Sequence, residues 1–240
     1  MISVVISTLN SEAPLGETLA ALVPAAVEGL VREVIVADGG STDCTLALAD
    51  DAGARIVAAE PGRGAQLKAG AAAARFPWLL FLDAGTSLAA GWEREARLHM
   101  ERAESGRRRP AAASFRLVLD ADGMLVRMRE RLASLRAHVL KLPHGNQGLL
   151  IPRALYDAVG GFAALPVLEH VDLLRRIGRG RVVMLDARAI VSRDLLHSSG
   201  SMLRRLSGPA GVGLCLVGVP VSTLAVLLAP RVPDEERGLP

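Results

Sequence analysis

The 240-residue chain is poor in aromatic residues and in cysteine. Phe, Trp and Tyr together make up 3% of the residues, too few for the stacking platforms that bind single-stranded nucleic acid. The formal net charge is only +3 although the pI is near 9.4, so the composition is not that of a nucleic-acid-binding protein. Two cysteines, Cys44 and Cys215, have a spacing that fits neither a metal site nor a redox pair. This usage is typical of a reducing compartment, and we interpret Cys44 as a small packing residue.

Four widespread nucleotide-binding and catalytic motifs are also missing. No Gly-Lys-Ser/Thr occurs, which excludes a P-loop. Gly62 and Gly64 begin a Gly-x-Gly sequence, but Leu67 stands where a dinucleotide fingerprint needs its third glycine. No Gly-x-Ser-x-Gly elbow and no Cys–His nucleophile arrangement can be recognised. The sequence therefore predicts neither a dehydrogenase nor an enzyme that forms a covalent intermediate.

Charge is absent from residues 207–230, and residues 212–229 are largely Val, Leu and Gly. About 20 apolar residues suffice to span a bilayer as a helix, but prolines and glycines interrupt this stretch. Three interpretations stay open: a segment that lies on or re-enters a membrane, a helix buried in the core or in an oligomer, and a full membrane span. The tail at 233–237 is predicted to be disordered.

The N-terminus enters a predicted strand at once, without a basic region or a cleavage site, so we expect no signal peptide. We therefore expect a cytoplasmic protein, and the apolar segment adds the alternative of a peripheral location at the inner face of the membrane. The basic run at 107–109 is interpreted as a solvated loop, with contact to an anionic membrane or a phosphate-rich substrate as the alternative.

Short apolar runs alternate with helical patterns through the first 83 residues. Strands are predicted at 2–8, 34–38, 55–59 and 79–83, with helices at 15–30, 45–53 and 65–74. Such an alternation with short connections predicts an α/β fold, a doubly wound and mostly parallel sheet flanked by helices. In these sheets ligands bind beyond the carboxyl ends of the strands, where the polar loops of this sequence fall.

The pattern changes after residue 86. Helices are predicted at 91–105 and 124–141, a strand at 112–119, a turn at 144–148 that runs into another strand, and two further helices that end near 162 and begin near 168. No linker or repeat is visible. We therefore predict one domain over residues 1–206 and an apolar helical appendage with its tail over 207–240.

Polar side chains follow the first two strands. Thr8, Asn10 and Glu12 offer hydroxyl, amide and carboxyl groups that suit the base and ribose of a nucleotide. Asp38 ends the second strand and is placed to accept a hydrogen bond from a base ring N–H. The alternative is that Asp38 belongs only to a tight turn with a helix cap.

A glycine-flanked arginine follows the third strand. Gly62 and Gly64 permit close backbone approach, and Arg63 is placed to pair with a phosphate group. Gln66 is predicted to assist this contact, while Lys68 is interpreted as a solvent-facing helix residue. These residues complete a candidate site for a nucleoside diphosphate.

In order and spacing, these loops and the segment Asp-Ala-Gly-Thr at 83–86 resemble the nucleotide-sugar half of a family 2 inverting glycosyltransferase of the GT-A fold. The resemblance implies that residues 1–90 bind the donor and 91–206 the acceptor. It also implies transfer of a sugar from a nucleotide-diphosphate donor to a hydroxyl acceptor with inversion. The segment His-Gly-Asn-Gln-Gly at 144–148 resembles a bacterial subgroup associated with radical-SAM or selenium-related neighbours.

The chain departs from this family at Asp83. GT-A enzymes usually carry Asp-x-Asp there, and the two carboxylates hold Mg²⁺ or Mn²⁺ against the diphosphate. Here Gly85 replaces the second carboxylate, and Thr86 and Ser87 add only neutral oxygens. We predict that Asp83 binds both nucleotide and metal, directly or through water, with a reduced metal affinity.

The second departure is at Glu169 and His170. Family members usually read Glu-Asp there, the aspartate being the base that deprotonates the acceptor hydroxyl, and this chain has His170 instead. His170 as base, Glu169 as base and a non-catalytic pocket all stay open, as does His170 as a metal ligand with His144 or His197. Asp172 is predicted to orient its neighbours or to pair with Arg175 or Arg176.

Gln147 has two interpretations, a contact to the sugar or acceptor and an amide that satisfies the backbone of its turn. The predicted partners are a nucleotide-diphosphate sugar and a hydroxyl acceptor, with a lipid-linked acceptor, a membrane surface and a homodimer as further alternatives.

A rival function is a catalytically weakened GT-A protein that binds a nucleotide or a partner, because both departures fall on residues that carry out the chemistry. A sugar-phosphate nucleotidyltransferase is disfavoured because the loop at 7–12 has no basic residue.

Overall fold

The structure is a computed structural model and describes residues 1–106, 109–120, 124–140, 142–165 and 168–191. The strands are β1 Ile2–Thr8, β2 Val31–Asp38, β3 Arg55–Ala58, β4 Trp78–Asp83, β5 Thr86–Leu88, β6 Ala112–Leu119, β7 Leu149–Pro152 and β8 Val182–Val191. The helices are α1 Glu12–Val27, α2 Thr45–Asp51, α3 Arg63–Ala73, α4 Trp92–Glu104, α5 Met124–Leu140, α6 Arg153–Ala158 and α7 Glu169–Ile177. Short 3₁₀ helices lie at Gly145–Gln147 and Arg179–Arg181. Cys215, His197, the run at 107–108 and the predicted appendage at 207–240 lie outside the described residues.

All eight strands form one sheet in the order β3-β2-β1-β4-β7-β6-β8-β5. Strands β1 to β4 pair in parallel, β7 is antiparallel to both β4 and β6, β6 and β8 are parallel, and β5 is antiparallel to β8. The predicted doubly wound α/β sheet flanked by helices is confirmed. The antiparallel strands of its second half were not predicted.

Helices cover both faces of the sheet, which is why β1 and β4 are apolar runs rather than alternating ones. One core contains Val5 and Phe81 together with residues of α3, α6 and α7, and we call this side the α3 face. The other core contains Ile6 and Leu82 together with residues of α1, α2 and α4. Successive side chains of a strand therefore point to different cores.

Strand register relates the directions of the strands in the two halves of the sheet. Phe81 of β4 lies opposite Leu149 of β7, which lies opposite Ser114 of β6. Because β7 is antiparallel to both neighbours, β4 and β6 run in the same direction. Strands β1, β2, β4, β6 and β8 therefore all end at one edge of the sheet, which we call the carboxyl edge.

Two local predictions differ from the structure. Helix α1 begins at Glu12 rather than at residue 15, because Pro14 sits in the first turn, where its missing N–H removes no helical hydrogen bond. Cys44 is exposed and precedes α2, so its interpretation as a packing residue is wrong. Lys68 is exposed, as predicted. Within the described residues, no helix combines the length and the apolar character needed to cross a bilayer.

Candidate active site

The loops after β1 and β2 meet at the carboxyl edge through Asp38. One carboxylate oxygen, Oδ1, accepts from the hydroxyls of Thr8, at 2.9 Å, and Ser41. The other, Oδ2, accepts from the backbone N–H groups of Gly40, at 2.8 Å, and Ser41, at 2.7 Å. Burial alone would raise the pKa of Asp38, but these hydrogen bonds outweigh it and lower the pKa. Asp38 thus builds its own turn, as the alternative interpretation has it.

Other predicted donor-site residues hold the same loops together. The Asn10 side chain accepts from the backbone N–H of Thr42 at 2.8 Å, and Glu12 accepts from that of Cys44 at 3.3 Å. Both Asn10 and Glu12 are exposed at the carboxyl edge, whereas Thr8 is buried. Asn10 and Glu12 are therefore the predicted donor-site residues of these loops that solvent reaches.

Gln66 lies inside the protein rather than at its surface. Its side-chain amide donates to the backbone carbonyl of Thr8 at 2.6 Å, and only 4% of the residue is exposed. The adjacent backbone leaves little space, since a Cβ on Gly39 would approach the Gln66 amide nitrogen to 2.5 Å. Gln66 therefore joins α3 to the end of β1 instead of contacting a phosphate directly.

Arg63, the first residue of α3, joins three parts of the site. Its Nε donates to Asp83 Oδ1 at 2.6 Å, one terminal nitrogen donates to Glu169, and the other donates to the Gly145 carbonyl at 3.1 Å. The side chain is only 12% exposed. Burial alone would lower the pKa of Arg63, but the charges of Asp83 and Glu169 outweigh it and raise the pKa. The guanidinium therefore stays charged between two carboxylates.

The glycines beside Arg63 allow close packing and an unusual backbone conformation, and they do not form an open loop. A Cβ on Gly64 would lie 2.4 Å from the Ala163 carbonyl oxygen and 3.0 Å from that of Leu165. Gly62 has φ of 130°, a value that residues with a side chain rarely adopt. The close approach predicted for Gly64 is thus made to the segment before α7, and it fixes where Arg63 emerges.

Glu169 enters the site from the first turn of α7. The preceding residue, Leu168, is buried and has a φ of 63°, an uncommon conformation for a bulky residue. Burial alone would raise the pKa of Glu169, but Arg63 and His170 outweigh it and hold the pKa well below its usual range. The helix N-terminus also favours a carboxylate at this position. Glu169 is therefore an ionised group held by Arg63.

His170 is the accessible member of this pair. Its Nδ1 lies 3.5 Å from the Glu169 carboxylate, and its side chain is 18% exposed against 5% for Glu169. His170 lines a cleft together with Arg63, His144 and Gly145, and the empty volume is about 310 Å³, including the part that opens to solvent. The rings of His144 and His170 have centroids 5.9 Å apart. His170 thus has both a carboxylate neighbour and access to the cleft.

The surroundings of the Asp83 carboxylate show whether the site fits a metal ion. Its Oδ1 accepts from Arg63 and from the Ser7 hydroxyl at 3.2 Å, whereas Oδ2 is buried and has no hydrogen-bond partner within the described part of the chain. A buried carboxylate oxygen without a donor fits a cation or its bound water. The described residues contain no group of three His, Cys, Asp or Glu side chains that could hold an ion. The site fits a cation that takes one protein carboxylate and its other ligands from phosphates and water.

Two predicted site residues do not face the cleft. Gln147 is 1% exposed, its amide donates to the Phe115 carbonyl at 2.9 Å, and its oxygen accepts from the His144 backbone N–H. Gln147 therefore satisfies the backbone of its turn, which is the second of its two interpretations, and it does not line the cleft as the predicted acceptor contact would. Asp172 pairs with Arg176, one of the two arginines predicted for it, and Arg176 also donates to a backbone carbonyl near the end of α6.

Sequence reasoning missed Ser7, Gly145 and Leu168. The hydrogen bond between Ser7 and Asp83 follows from the parallel pairing of β1 with β4, which makes these residues register partners. The role of Gly145 depends on a backbone carbonyl, and no side-chain motif records it. The conformation of Leu168 had no sequence signal, because leucine rarely adopts a positive φ.

The first half of the chain is similar in sequence to a known protein family. Residues 3–106 match the family model described as Glycosyl transferase family 2, which is somewhat under half of the chain. The matched part runs from β1 through α4 and contains Asp38, Arg63 and Asp83. This part of the chain therefore has the sequence pattern of a glycosyltransferase family 2 domain.

One curated protein is similar in sequence to part of this chain. Glucosyl-3-phosphoglycerate synthase of Mycolicibacterium paratuberculosis is 41% identical over 91 residues, which is 34% of this chain and 27% of that protein. The match thus spans about a quarter of the length of this curated relative.

Solved structures extend the likeness to the fold. The structure of glucosyl-3-phosphoglycerate synthase from Mycobacterium tuberculosis with Mn²⁺, uridine diphosphate and glucosyl-3-phosphoglycerate has a TM-score of 0.58 at 23% identity, over 86% of this chain and 79% of that chain. A mycobacterial protein of known crystal structure has a TM-score of 0.56 at 26% identity, over 80% of this chain and 65% of that chain. The likeness reaches well beyond the matched family segment, and the chain shares the fold of these proteins.

Proposed function

We propose that this protein is an inverting glycosyltransferase that moves a sugar from a nucleotide-diphosphate donor to a hydroxyl acceptor. The observation that carries the proposal is the cluster of Arg63, Asp83, Glu169 and His170 at the carboxyl edge. Its donor side lies in the segment that matches glycosyltransferase family 2. Its other side brings an accessible histidine from the second half of the chain to the same place.

The donor occupies the loops after β1, β2 and β3. Asn10 and Glu12 are the exposed polar groups for base and ribose, and the turn built by Thr8 and Asp38 forms the wall beneath them. Arg63, held between Asp83 and Glu169, is the cation that we assign to the diphosphate. A solved relative of this fold contains uridine diphosphate, which supports a nucleoside diphosphate as the ligand class.

Asp83 holds a divalent cation, Mg²⁺ or Mn²⁺, through its free Oδ2. When bound, the cation offsets the negative charge that develops on the leaving diphosphate. Arg63 already pairs with the other oxygen of Asp83, so the donor's phosphates, rather than a second carboxylate at position 85, would have to balance the charge of the cation. A solved relative contains Mn²⁺, which supports this assignment.

His170 is the base and Glu169 is its positioning residue. A carboxylate with a strongly lowered pKa accepts protons poorly, which makes Glu169 a weak base while Arg63 holds it. The ring of His170 reaches the cleft, with Nδ1 on the side of Glu169. The acceptor hydroxyl loses its proton to the ring nitrogen farther from Glu169, as its oxygen attacks the anomeric carbon opposite the leaving diphosphate. Inversion follows from this single displacement.

Several finer assignments belong to the same proposal. The turn at 144–148 supports membership of the bacterial subgroup associated with radical-SAM or selenium-related neighbours. A lipid-linked acceptor, a peripheral membrane location and a homodimer stay predictions, because the apolar segment that motivates them lies outside the described residues.

A second candidate function is a nucleotide-binding module with weakened catalysis. The observation that favours it is Gly85 in place of a carboxylate, together with the lack of a three-ligand metal cluster among the described residues. The two functions differ in turnover and agree in nucleotide binding. They are therefore separable by a kinetic experiment.

The experiment measures release of nucleoside diphosphate from UDP-, GDP-, CDP- and dTDP-sugars by the full chain with Mn²⁺ and an extract of small hydroxyl compounds. We expect turnover with one donor class, loss of about 10²-fold or more in His170→Asn, and a smaller loss in Glu169→Gln with a shifted pH profile. Arg32→Gln, an exposed arginine on β2, is the matched control. Binding of a nucleotide without release of any product supports the nucleotide-binding module. Turnover in His170→Asn and Glu169→Gln that equals wild-type turnover removes the base assignment.

A further inference from the structure

One residue beside the candidate active site has a backbone conformation that its own side chain disfavours. Leu168 has φ of 63° and ψ of 14°, in the left-handed region. In that region the Cβ lies too close to the following carbonyl oxygen, so glycine and asparagine adopt it far more readily than leucine does. Among the described residues, Asn10 is the other non-glycine residue with a positive φ. Both residues stand in loops that border the site.

The start of helix α7 does not explain a leucine at this position. Leu168 is the N-cap residue of α7. This position favours Ser, Thr, Asp and Asn, because their side chains accept hydrogen bonds from the first N–H groups of the helix. The side chain of Leu168 makes no such hydrogen bond. Contacts outside the helix must therefore hold Leu168 in its disfavoured conformation.

Packing on both sides of Leu168 provides these contacts. Its side chain is 3% exposed and belongs to the core of the α3 face. Before Leu168, the carbonyl oxygen of Ala163 lies against Gly64, where an added Cβ would approach it to 2.4 Å. After Leu168, Glu169 accepts a hydrogen bond from Arg63. The chain thus contacts the first two residues of α3 on either side of the left-handed residue.

The conformation of Leu168 determines where the first turn of α7 lies. Its buried side chain fixes the residue in the core, and its φ and ψ then set the direction of Glu169, which follows it. The backbone N–H of Asp172 donates to the Leu168 carbonyl at 3.0 Å, so the helix begins from this residue. With a negative φ, the usual case, Glu169 would leave a buried Leu168 in another direction. The pair with Arg63 and the 3.5 Å approach of His170 Nδ1 to Glu169 both depend on the direction observed.

We propose that Leu168 is a positioning residue, whose left-handed conformation, held by burial of its side chain, places Glu169 against Arg63 and His170 at the cleft. The inference rests on the proposed function, in which His170 is the base, and adds to it the residue that orients the base. Leu168 does not line the cleft, so it acts through Glu169. Alignment at this level matters, because a displacement of about 1 Å in a reacting group changes a rate by about 10²-fold.

The first test compares substitutions whose apolar character and whose tolerance of the left-handed region rank in opposite order. Valine is apolar but β-branched and does not fit the region, whereas asparagine is polar and tolerates it. Leu168→Met conserves the volume and is the matched control. With the donor that the wild type uses, kcat of Leu168→Val should fall by about tenfold or more at an unchanged donor KM, whereas kcat of Leu168→Asn should stay within about threefold of the wild type.

Each variant is measured well below its own melting temperature, so that a loss of stability is not counted as a loss of turnover. Leu168→Gly, which adopts the left-handed region without strain, takes the place of Leu168→Asn if the asparagine variant does not fold. A kcat of Leu168→Val that equals or exceeds that of the variant with asparagine or glycine follows apolar packing alone and overturns the inference.

The second test is a double-mutant cycle with Glu169→Gln, measured both by kcat and by the midpoint of urea denaturation of the full chain. If Leu168→Val already displaces Glu169, then Glu169→Gln should change both quantities about half as much or less in Leu168→Val as in Leu168→Met. Equal changes in the two backgrounds overturn the inference. A wild type without turnover on any donor refutes the proposed function, while the denaturation midpoints still decide whether Leu168 positions Glu169.

Discussion

Replacement of Arg63 by glutamine tests the electrostatic account of the site most severely. The variant leaves two carboxylates, Asp83 and Glu169, that are only 6% and 4% exposed and that share one cation. Removal of one partner from a buried ion pair costs about 3–5 kcal/mol, because the remaining charge is left uncompensated. For a chain of this length, that loss corresponds to a decrease in melting temperature of about 6–20 °C.

The loss should depend on pH in a defined direction. In the wild type the pKa of Glu169 is lowered by folding, so its stabilisation is present above the unfolded value of about 4.3 and is lost as the pH falls toward the folded value. In Arg63→Gln, burial raises the pKa of Glu169 above the unfolded value, so the variant gains stability as the pH falls. The difference between the two proteins should therefore shrink between pH 8 and pH 5.

The assay is urea denaturation of both proteins at pH 8, 7, 6 and 5, with Arg32→Gln as the exposed control. A difference below about 1 kcal/mol at pH 8 refutes the view that Arg63 compensates buried charge. A difference that grows at pH 5 refutes the assignment of Glu169 as the group that takes up the proton.

Three further substitutions test other contacts of the fold. Gly64→Ala should destabilise the protein by about 1–3 kcal/mol in urea denaturation, because its Cβ would meet the main-chain oxygen of Ala163, and an unchanged midpoint would contradict this packing. Glu33→Gln should lower the free energy of unfolding by about 1–3 kcal/mol at pH 7, because the buried carboxylate accepts hydrogen bonds from the backbone and the side chain of Arg75. Folding lowers the pKa of Glu33, so the difference between variant and wild type should disappear in acid. Chemical denaturation at several pH values measures this difference. Asp172→Asn should change the melting temperature little, since its partly exposed pair is worth at most about 1 kcal/mol.

The first half of the fold was predictable because its signals are local. Short buried strands that end in small polar residues, separated by helical patterns, determine the order of β1 to β4 and place their loops at one edge. Asp38 and Arg63 were singled out from this pattern, and Asp83 from the resemblance to a family of glycosyltransferases. The sequence did not distinguish two roles of the Asp38 carboxylate, because a tight turn and a nucleotide contact require an aspartate at the same position. The structure shows the contacts to the turn.

The second half was harder because its contacts join residues far apart in the chain. The antiparallel insertion of β7 and the pairing of β8 with both β6 and β5 have no local signal. The sequence left two roles open for Gln147, an acceptor contact and a contact to its own turn, and the fold buries the amide against the backbone. The meeting of Arg63 with Glu169 spans 106 positions, and only the folded chain shows it.

The most direct test of the central claim is thermal unfolding of the full chain with UDP, GDP, CDP and dTDP, each with and without Mn²⁺ or Mg²⁺. At about 100 times the dissociation constant, a ligand adds about 2.7 kcal/mol, which raises the melting temperature by several degrees. We expect one nucleotide to give this increase, a larger increase with the cation, and loss of the cation's part in Asp83→Asn. The absence of any increase with all four nucleotides would contradict the account of the protein as a nucleotide-sugar glycosyltransferase.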